Sequence, residues 1–178
     1  MEAIDSMWRL DSFLRETRRT RPHADGIPHA PTHGIQLMWC EVLLNRLVLK
    51  PTTLSDGTRL TPGTHISAVY SPRESDPRYY PSPLTFDPLR FHAIRTHSQD
   101  PSSTRFSSTD IDSNEYLGFG GGRHACPGRF FAVAIIKAAV VQLLLKYDMQ
   151  PKGEAEITYR FEEQRLPSFR DQVVFRKL

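Results

Sequence analysis

Apolar residues recur at helical spacing near the start of the chain, and a long, mostly apolar run follows residue 127; these two segments predict the main helices. In residues 6–21 the apolar positions lie three and four residues apart, which predicts an amphipathic helix that ends before Pro22. Residues 127–146 are apolar on nearly every side, so we expect a helix that is buried in most directions. Pro127 suits its first turn, where no backbone donor is needed.

Short strands are predicted on either side of the long helix. In residues 42–70, the pair Asp56-Gly57 between Thr-rich apolar runs is typical of a β-hairpin. Residues 151–178 alternate charged and apolar positions, which favours strands that close the chain. With the two helices, this pattern predicts an α+β fold.

The remaining segments are rich in turn-forming residues. Residues 22–41 show no period and are dominated by Pro, His and Gly, so they are interpreted as an irregular loop. The prolines of residues 71–117 allow no more than a turn or two of helix. Residues 97–114 are rich in Ser, Thr and Asp, and we expect them to be mobile.

Composition narrows the class of protein. The 178 residues are 39% hydrophobic, enough for one domain over 1–178 and too apolar for general disorder. Two cysteines exclude a disulfide-dense secreted scaffold, and a net charge of +3 is too small to indicate a nucleic-acid partner. The start of the chain has no secretory h-region and no segment is apolar enough for a membrane span, so the sequence predicts a soluble intracellular chain.

Cys126 is the candidate functional residue of the sequence. It stands immediately before the predicted long helix, where the helix N-terminus favours a thiolate. Glycines 120–122 and Gly128 leave room for a flat ligand, and Arg123, His124 and Arg129 add positive charge. A lone cysteine is more often buried and inert. This setting favours a ligand-binding cysteine without identifying the ligand.

The segment from Phe119 to Gly128, FGGGRHACPG, resembles the haem-binding motif F-x-x-G-x-R/H-x-C-x-G of the cytochrome P450 family. Residues 16–19, ETRR, resemble the E-x-x-R motif of the family's K helix, and residues 76–91 resemble the irregular meander that precedes the cysteine loop. The combination is most similar to fungal P450s of the ent-kaurene-oxidase-like group. It covers nearly the whole chain except residues 22–41, which form an atypical insertion.

The resemblance assigns roles to individual residues. It implies that Cys126 is the axial thiolate ligand of haem iron and that His124 and Arg46 contact the haem propionates. It implies that Phe119 packs near the sulfur. The same resemblance gives Gly122 and Gly128 the task of leaving backbone room, and makes Glu16, Arg19 and Arg90 a structural ion triad. Taken alone, E-x-x-R is more often a solvated helix face.

The resemblance also implies a fold and an activity. The chain is expected to be the C-terminal, haem-proximal part of a P450 fold, with a K-like helix, small sheets, a meander, the cysteine loop and an L-like helix. The family function is haem-thiolate monooxygenation of a small apolar substrate in fungal secondary metabolism. An NADPH-dependent reductase would supply electrons, and Arg123, Arg129 and Lys137 would give its docking face a positive charge. The family location is the cytosolic face of the endoplasmic reticulum.

An inactive alternative stays open at this point. No A-G-x-[DE]-T-like segment, which in the family handles protons over bound oxygen, occurs in the sequence. We therefore expect a C-terminal fragment whose isolated activity is doubtful. The competing interpretation is a catalytically inactive truncated product, or a module that only binds haem.

Three further interpretations have weaker support. Gly118–Gly122 resembles a phosphate-binding nest, but no G-K-[ST] follows it. His29, His33 and Cys40 have no common zinc spacing and lack a fourth ligand. The arginines at 15, 18, 19 and 21 are more typical of a solvated helix face than of a nucleic-acid surface, and an unrelated interaction domain is the remaining possibility.

Overall fold

The computed structural model describes residues 6–20, 46–66, 74–98, 106–111, 116, 118–152, 159–161, 164–166 and 172–178. Its helices are α1 (Trp8–Thr20), α2 (Arg90–Thr96) and α3 (Arg129–Leu144), with a 3₁₀ turn over Gly122–His124. Its strands are β1 (Arg46–Leu47), β2 (Thr52–Thr53), β3 (Arg59–Leu60), β4 (His65–Ile66), β5 (Tyr147–Lys152), β6 (Tyr159–Phe161), β7 (Gln164–Leu166) and β8 (Gln172–Lys177). The predicted irregular loop over 22–41 lies outside the described residues.

The described strands form four antiparallel pairs, β1–β4, β2–β3, β5–β8 and β6–β7. The hairpin predicted at Asp56-Gly57 is confirmed, because β2 and β3 pair on either side of it, with Thr52 opposite Leu60. The Asp56 carboxylate accepts the Thr58 amide at 2.9 Å, and Gly57 has a φ of 89°, which favours glycine. The strands predicted over residues 151–178 are confirmed by β6, β7 and β8. Strand β8 pairs with β5, which begins before that range, from Tyr147 and Lys177 to Lys152 and Gln172.

Helix α2 is the short helix that the prolines allow. Its seven residues make about two turns between Pro88 and Pro101, as predicted. It packs against α1, where the Ser12 hydroxyl accepts the Phe91 amide at 3.1 Å. The Phe91 ring meets Tyr80 edge-on at 6.1 Å between centroids, so α1, α2 and the proline-rich segment before α2 share a small core.

Helix α1 buries its polar face, contrary to the pattern of the sequence. Its buried residues are Asp11, Ser12, Arg15, Glu16 and Arg19, whereas the apolar Phe13 is 43% exposed. The expectation that the arginines form a solvated face is therefore wrong for Arg15 and Arg19. Each buried charge has a charged or carbonyl partner on a distant segment, which offsets the cost of its burial.

Helix α3 shows the opposite arrangement. Gly128 precedes its first residue, Arg129, so Pro127 lies just before the helix instead of in its first turn. Within the described part of the chain its buried residues are Val133 and Lys137, while its exposed apolar residues are Phe130, Phe131, Ile135, Ile136 and Leu144. The prediction of burial on most sides is wrong for these residues. None of the helices built from described residues is long and apolar enough to cross a bilayer.

The predicted mobile stretch contains a packed loop. We call residues 106–111 the anchor loop, because Ser107 and Ser108 are buried within it. Ser108 donates both its amide and its hydroxyl to the Asp11 carboxylate of α1. Residues 106–111 of that stretch are therefore packed against α1, and its mobility stays a prediction.

Candidate functional site

The cysteine loop, residues 118–128, folds back on itself through its glycines. Gly120 and Gly122 have φ angles of 72° and 63°, in the left-handed region that side chains rarely adopt. The Cys126 amide then donates to the Phe119 carbonyl at 2.8 Å. The first residue of the predicted motif and its cysteine therefore meet across the loop. Gly128, two residues after Cys126, precedes α3.

Cys126 is a free thiol with an exposed side chain. The alternative of a buried cysteine is therefore wrong. Sulfur in this position is open to a soft metal. Among the described residues no cluster of three or more His, Cys, Asp or Glu side chains could hold a metal ion. The zinc alternative of His29, His33 and Cys40 falls outside the described residues.

The face around Cys126 has room for a flat ligand. A Cβ atom placed on Gly122 or Gly128 would meet nothing within 4 Å. Both glycines are exposed, as are His124 at the end of the 3₁₀ turn and Arg46 on β1. The Cys126 thiol and the open glycine surface of the cysteine loop fit a group with a soft metal such as haem. His124 and Arg46 are exposed side chains able to bind carboxylates.

Phe119 makes a contact that the sequence did not suggest. It is half-buried, and the Arg18 guanidinium lies over its ring at 3.8 Å from the centroid. A cation at this distance is attracted to the ring face. Helix α1 is thereby joined to the cysteine loop at the residue whose carbonyl accepts the Cys126 amide.

The structure brings Glu16, Arg19 and Arg90 together. Arg19 donates to both carboxylate oxygens of Glu16, each at 2.8 Å, and Arg90 Nε lies 3.2 Å from Glu16 Oε1. The Asp87 amide adds a fourth donor at 3.0 Å. Both arginines also donate to main-chain carbonyls of the proline-rich segment, Arg19 to Glu74 and Pro83 and Arg90 to Pro81 and Thr85. The cluster therefore attaches α1 to a segment that has little regular structure of its own.

The hydrogen bonds and charges around Glu16 outweigh the effect of burial on its pKa. Burial by itself raises the pKa of Glu16, but the hydrogen bonds from Arg19 and Asp87 and the charges of Arg19 and Arg90 hold that pKa below its usual 4.5. Glu16 is thus ionised at neutral pH despite being completely buried. This is the protonation state that two arginine forks require.

The structure contains a second buried network that the sequence did not predict. Lys137 Nζ on α3 lies 2.8 Å from Asp11 Oδ2 on α1, and both side chains are 4% exposed. Arg15 Nη1 donates to Asp110 Oδ2 at 3.0 Å and to the Ser107 carbonyl at 3.1 Å. We call the Asp11–Lys137 and Arg15–Asp110 pairs the α1 network. It joins α1, α3 and the anchor loop.

Tyr116 packs against Arg15 of the α1 network. Its ring is fully buried, with the Arg15 guanidinium 4.2 Å from its centroid. Burial raises the pKa of its hydroxyl above the usual 10.0, against the opposing charges of Arg18 and Arg15. The same ring lies against Gly118, where a Cβ atom would collide with it. Gly118 therefore has a packing role at the start of the cysteine loop.

The sequence profile of the family described as cytochrome P450 matches residues 39–172. The chain belongs to the cytochrome P450 family.

Curated relatives agree with this assignment. The chain is 42% identical over 149 residues to "Cytochrome P450 monooxygenase 71" of Postia placenta, which covers 84% of this chain and 26% of that protein. It is 36% identical over 177 residues to "Cytochrome P450 monooxygenase 151" of the same fungus, covering 98% of this chain and 32% of that protein. The chain thus spans about a quarter to a third of the length of these P450 relatives.

Solved structures show the same fold. The chain superposes on "Retinoic acid bound cyanobacterial CYP120A1" with a TM-score of 0.65 at 21% identity, covering 99% of this chain and 35% of that one. It superposes on a cytochrome P450, CYP102L1, with a TM-score of 0.66 at 19% identity, covering 99% of this chain and 33% of that one. The α+β arrangement described above is accordingly about one third of a P450 fold.

The expected basic docking face of this P450 chain needs correction. Lys137 is buried and paired with Asp11, so it does not belong to an exposed positive surface. Arg129 is half-buried, and its guanidinium donates to two main-chain carbonyls. Of the three residues expected on that face, Arg123 is the exposed one.

Proposed function

We propose that the chain carries the proximal haem site of a P450 monooxygenase. The observation that carries the proposal is the exposed Cys126 thiol at the start of α3, inside a glycine loop whose outer face is open. The relatives named as cytochrome P450 monooxygenases support the same activity for the family. Bound haem would supply the activation of O₂ for insertion of one oxygen atom into a small apolar substrate.

The residues of the chain would bind and orient the group. The Cys126 thiolate would ligate the iron from the proximal side, and the α3 amides would stabilise its charge. His124 and Arg46 would bind the propionates, because both are exposed donors suited to carboxylates. Gly122 and Gly128 would let the ligand approach the backbone, and Phe119 would limit water at the sulfur.

The ion cluster would act as a support for the site. Glu16, Arg19 and Arg90 hold α1 against the proline-rich segment, and α1 in turn contacts the cysteine loop through Arg18 and Phe119. We infer that the cluster sets the position of the loop without touching the reacting atoms. Electrons would come from an NADPH-dependent reductase on the thiolate side, next to the exposed Arg123, at the cytosolic face of the endoplasmic reticulum.

The test of this proposal is the spectrum of the haem-loaded chain. Reduced and exposed to CO, the chain should show the thiolate-type band, Cys126→Ser should lose it, and Cys40→Ser should keep it. Equal loss in both variants, or no thiolate band in the unmodified chain, would contradict the assignment of Cys126.

A second candidate is a haem-binding chain without coupled oxidation. It is favoured by the exposure of Phe131 and Ile135 on α3, because oxidation requires a site that excludes water. On this account, the 178-residue chain given haem, reductase, NADPH and O₂ consumes NADPH without forming an equivalent of oxidised product. Product in proportion to NADPH, above a Cys126→Ser control, would show a working monooxygenase and exclude this candidate.

A further inference from the structure

Arg129 occupies an unusual position between two irregular segments. Its Nη1 donates to the Cys126 carbonyl at 2.9 Å, and its Nε donates to the Thr109 carbonyl of the anchor loop at 3.1 Å. Both acceptors are main-chain oxygens, so the contacts fix backbone instead of side chains. One planar guanidinium thus joins the cysteine residue to a loop about twenty positions earlier in the chain.

The anchor loop is itself held at several points. Asp110 Oδ2 accepts Arg15 of α1 at 3.0 Å and the Phe106 amide at 3.1 Å. Asp11 accepts both donors of Ser108 and is paired with Lys137, which lies two turns after Arg129 on α3. The loop that receives Arg129 Nε is therefore fixed to both α1 and α3.

We propose that Arg129 is a positioning residue for Cys126, and that it acts by joining the Cys126 carbonyl to an anchor loop held by the α1 network. The inference rests on the proposed function for its meaning, because the position matters only if Cys126 ligates haem. The contacts themselves belong to the chain without haem. A fork with two donors in fixed geometry is needed, so lysine should not replace it even though lysine keeps the charge.

The first experiment measures hydrogen exchange of the Cys126 amide, which donates to Phe119, in the haem-free 178-residue chain. Arg129→Lys and Arg129→Gln should each speed this exchange about tenfold, the effect of losing one charge-assisted hydrogen bond. Arg123→Gln is the matched control, since it removes an exposed arginine from the same loop. An equal change in Arg123→Gln, or no change in Arg129→Lys, would overturn the proposal.

A variant in the anchor loop tests whether that loop supports Arg129. Asp110→Asn leaves Arg129 intact but removes the charge that holds Arg15 and weakens the turn at Phe106. We expect a smaller but measurable increase in exchange at Cys126, with the circular dichroism of the helices unchanged. An exchange rate identical to that of the unmodified chain would show that the anchor loop does not support Arg129, and would overturn that part of the proposal.

The second experiment uses the haem-loaded chain under CO. Arg129→Lys should lose the thiolate-type band on warming about tenfold faster than the unmodified chain, while Arg123→Gln should match the unmodified chain. If Arg129→Lys also matches it, charge alone suffices and the positioning role is wrong. A chain without any thiolate band would contradict the proposed function, whereas the exchange experiment would still decide whether Arg129 fixes Cys126.

Discussion

The environments of helices α1 and α3 are the reverse of those that their sequences suggest. Helix α1 is polar and buries two arginines and two acidic residues, whereas α3 is apolar and exposes most of its large side chains. The single charge on the interior of α3, Lys137, is buried because Asp11 of α1 receives it. Lys137, which is paired with Asp11, is thus buried more completely than the apolar Leu144 of the same helix.

The same comparison separates two kinds of stabilisation. Around α1 the interactions are directional and join segments 55 to 126 residues apart in sequence. Around α3 the described contacts are few, and Val133 is its one buried apolar side chain in that part of the chain. Changes on α1 should therefore affect folding strongly, and changes on the exposed face of α3 should affect it weakly.

The largest effect is expected at Glu16. Glu16→Gln removes the charge that receives Arg19 and Arg90, and it should lower the free energy of unfolding by about 3–5 kcal/mol because two buried guanidinium groups lose their counter-charge. Denaturant unfolding measures this. Asp148→Asn is the control, as it breaks an exposed pair with Arg176 and should cost less than about 1 kcal/mol. Equal losses of unfolding free energy in the two variants would show that the buried cluster stabilises the fold no more than the exposed pair does.

The Asp11–Lys137 pair should show strong coupling. Asp11→Asn leaves a buried ammonium group without its charge partner and should cost about 2–3 kcal/mol. Adding Lys137→Met removes that ammonium, so the double variant should recover at least half of the loss. A double-mutant cycle on unfolding free energies gives the coupling. Purely additive effects would mean that α1 and α3 are not joined by this pair.

Within α3 a buried and an exposed position can be compared directly. Val133→Ala should cost about 1–2 kcal/mol, because it removes buried methyl groups. Ile136→Gln, on the exposed side, should change stability by less than about 0.5 kcal/mol. Thermal unfolding of both variants checks the difference. A larger loss for Ile136→Gln would place that side chain in a core.

The smallest effect is the pH dependence that Glu16 contributes. Its pKa is lower in the folded chain than the usual 4.5, so the unfolded chain takes up the proton first as the pH falls. The stability from Glu16 is complete above about that value and is lost as the pH falls below it through the folded pKa. In Glu16→Gln this part of the acid slope should be missing. An unchanged slope would indicate that other carboxylates dominate acid unfolding.

Local features of this fold are readable from the sequence. The Asp56-Gly57 hairpin depends on turn chemistry within a few residues. The extent of α1 follows from helical periodicity, and that of α3 from a long apolar run. Motif resemblance also singled out Glu16, Arg19 and Arg90, which lie in contact although Arg90 is 74 residues from Glu16. The spacing of residues alone does not indicate that two residues so far apart in the sequence are in contact.

The buried faces could not be predicted in the same way. Asp11 and Lys137 lie 126 residues apart, and nothing in either local pattern indicates that the two meet. Arg15 resembles a solvated residue until Asp110, Phe91 and Tyr116 are placed around it. The contacts of Arg129 could not be predicted for a related reason, because its partners are main-chain carbonyls, which every residue has.

Iron-edge X-ray absorption of the haem-loaded 178-residue chain tests the central claim most directly, because it reports the atoms bonded to the metal. We expect one sulfur at bonding distance in the unmodified chain and in Cys40→Ser, and only nitrogen or oxygen neighbours in Cys126→Ser. Sulfur that persists in Cys126→Ser, or that is absent from the unmodified chain, would contradict the assignment of Cys126 as the axial ligand.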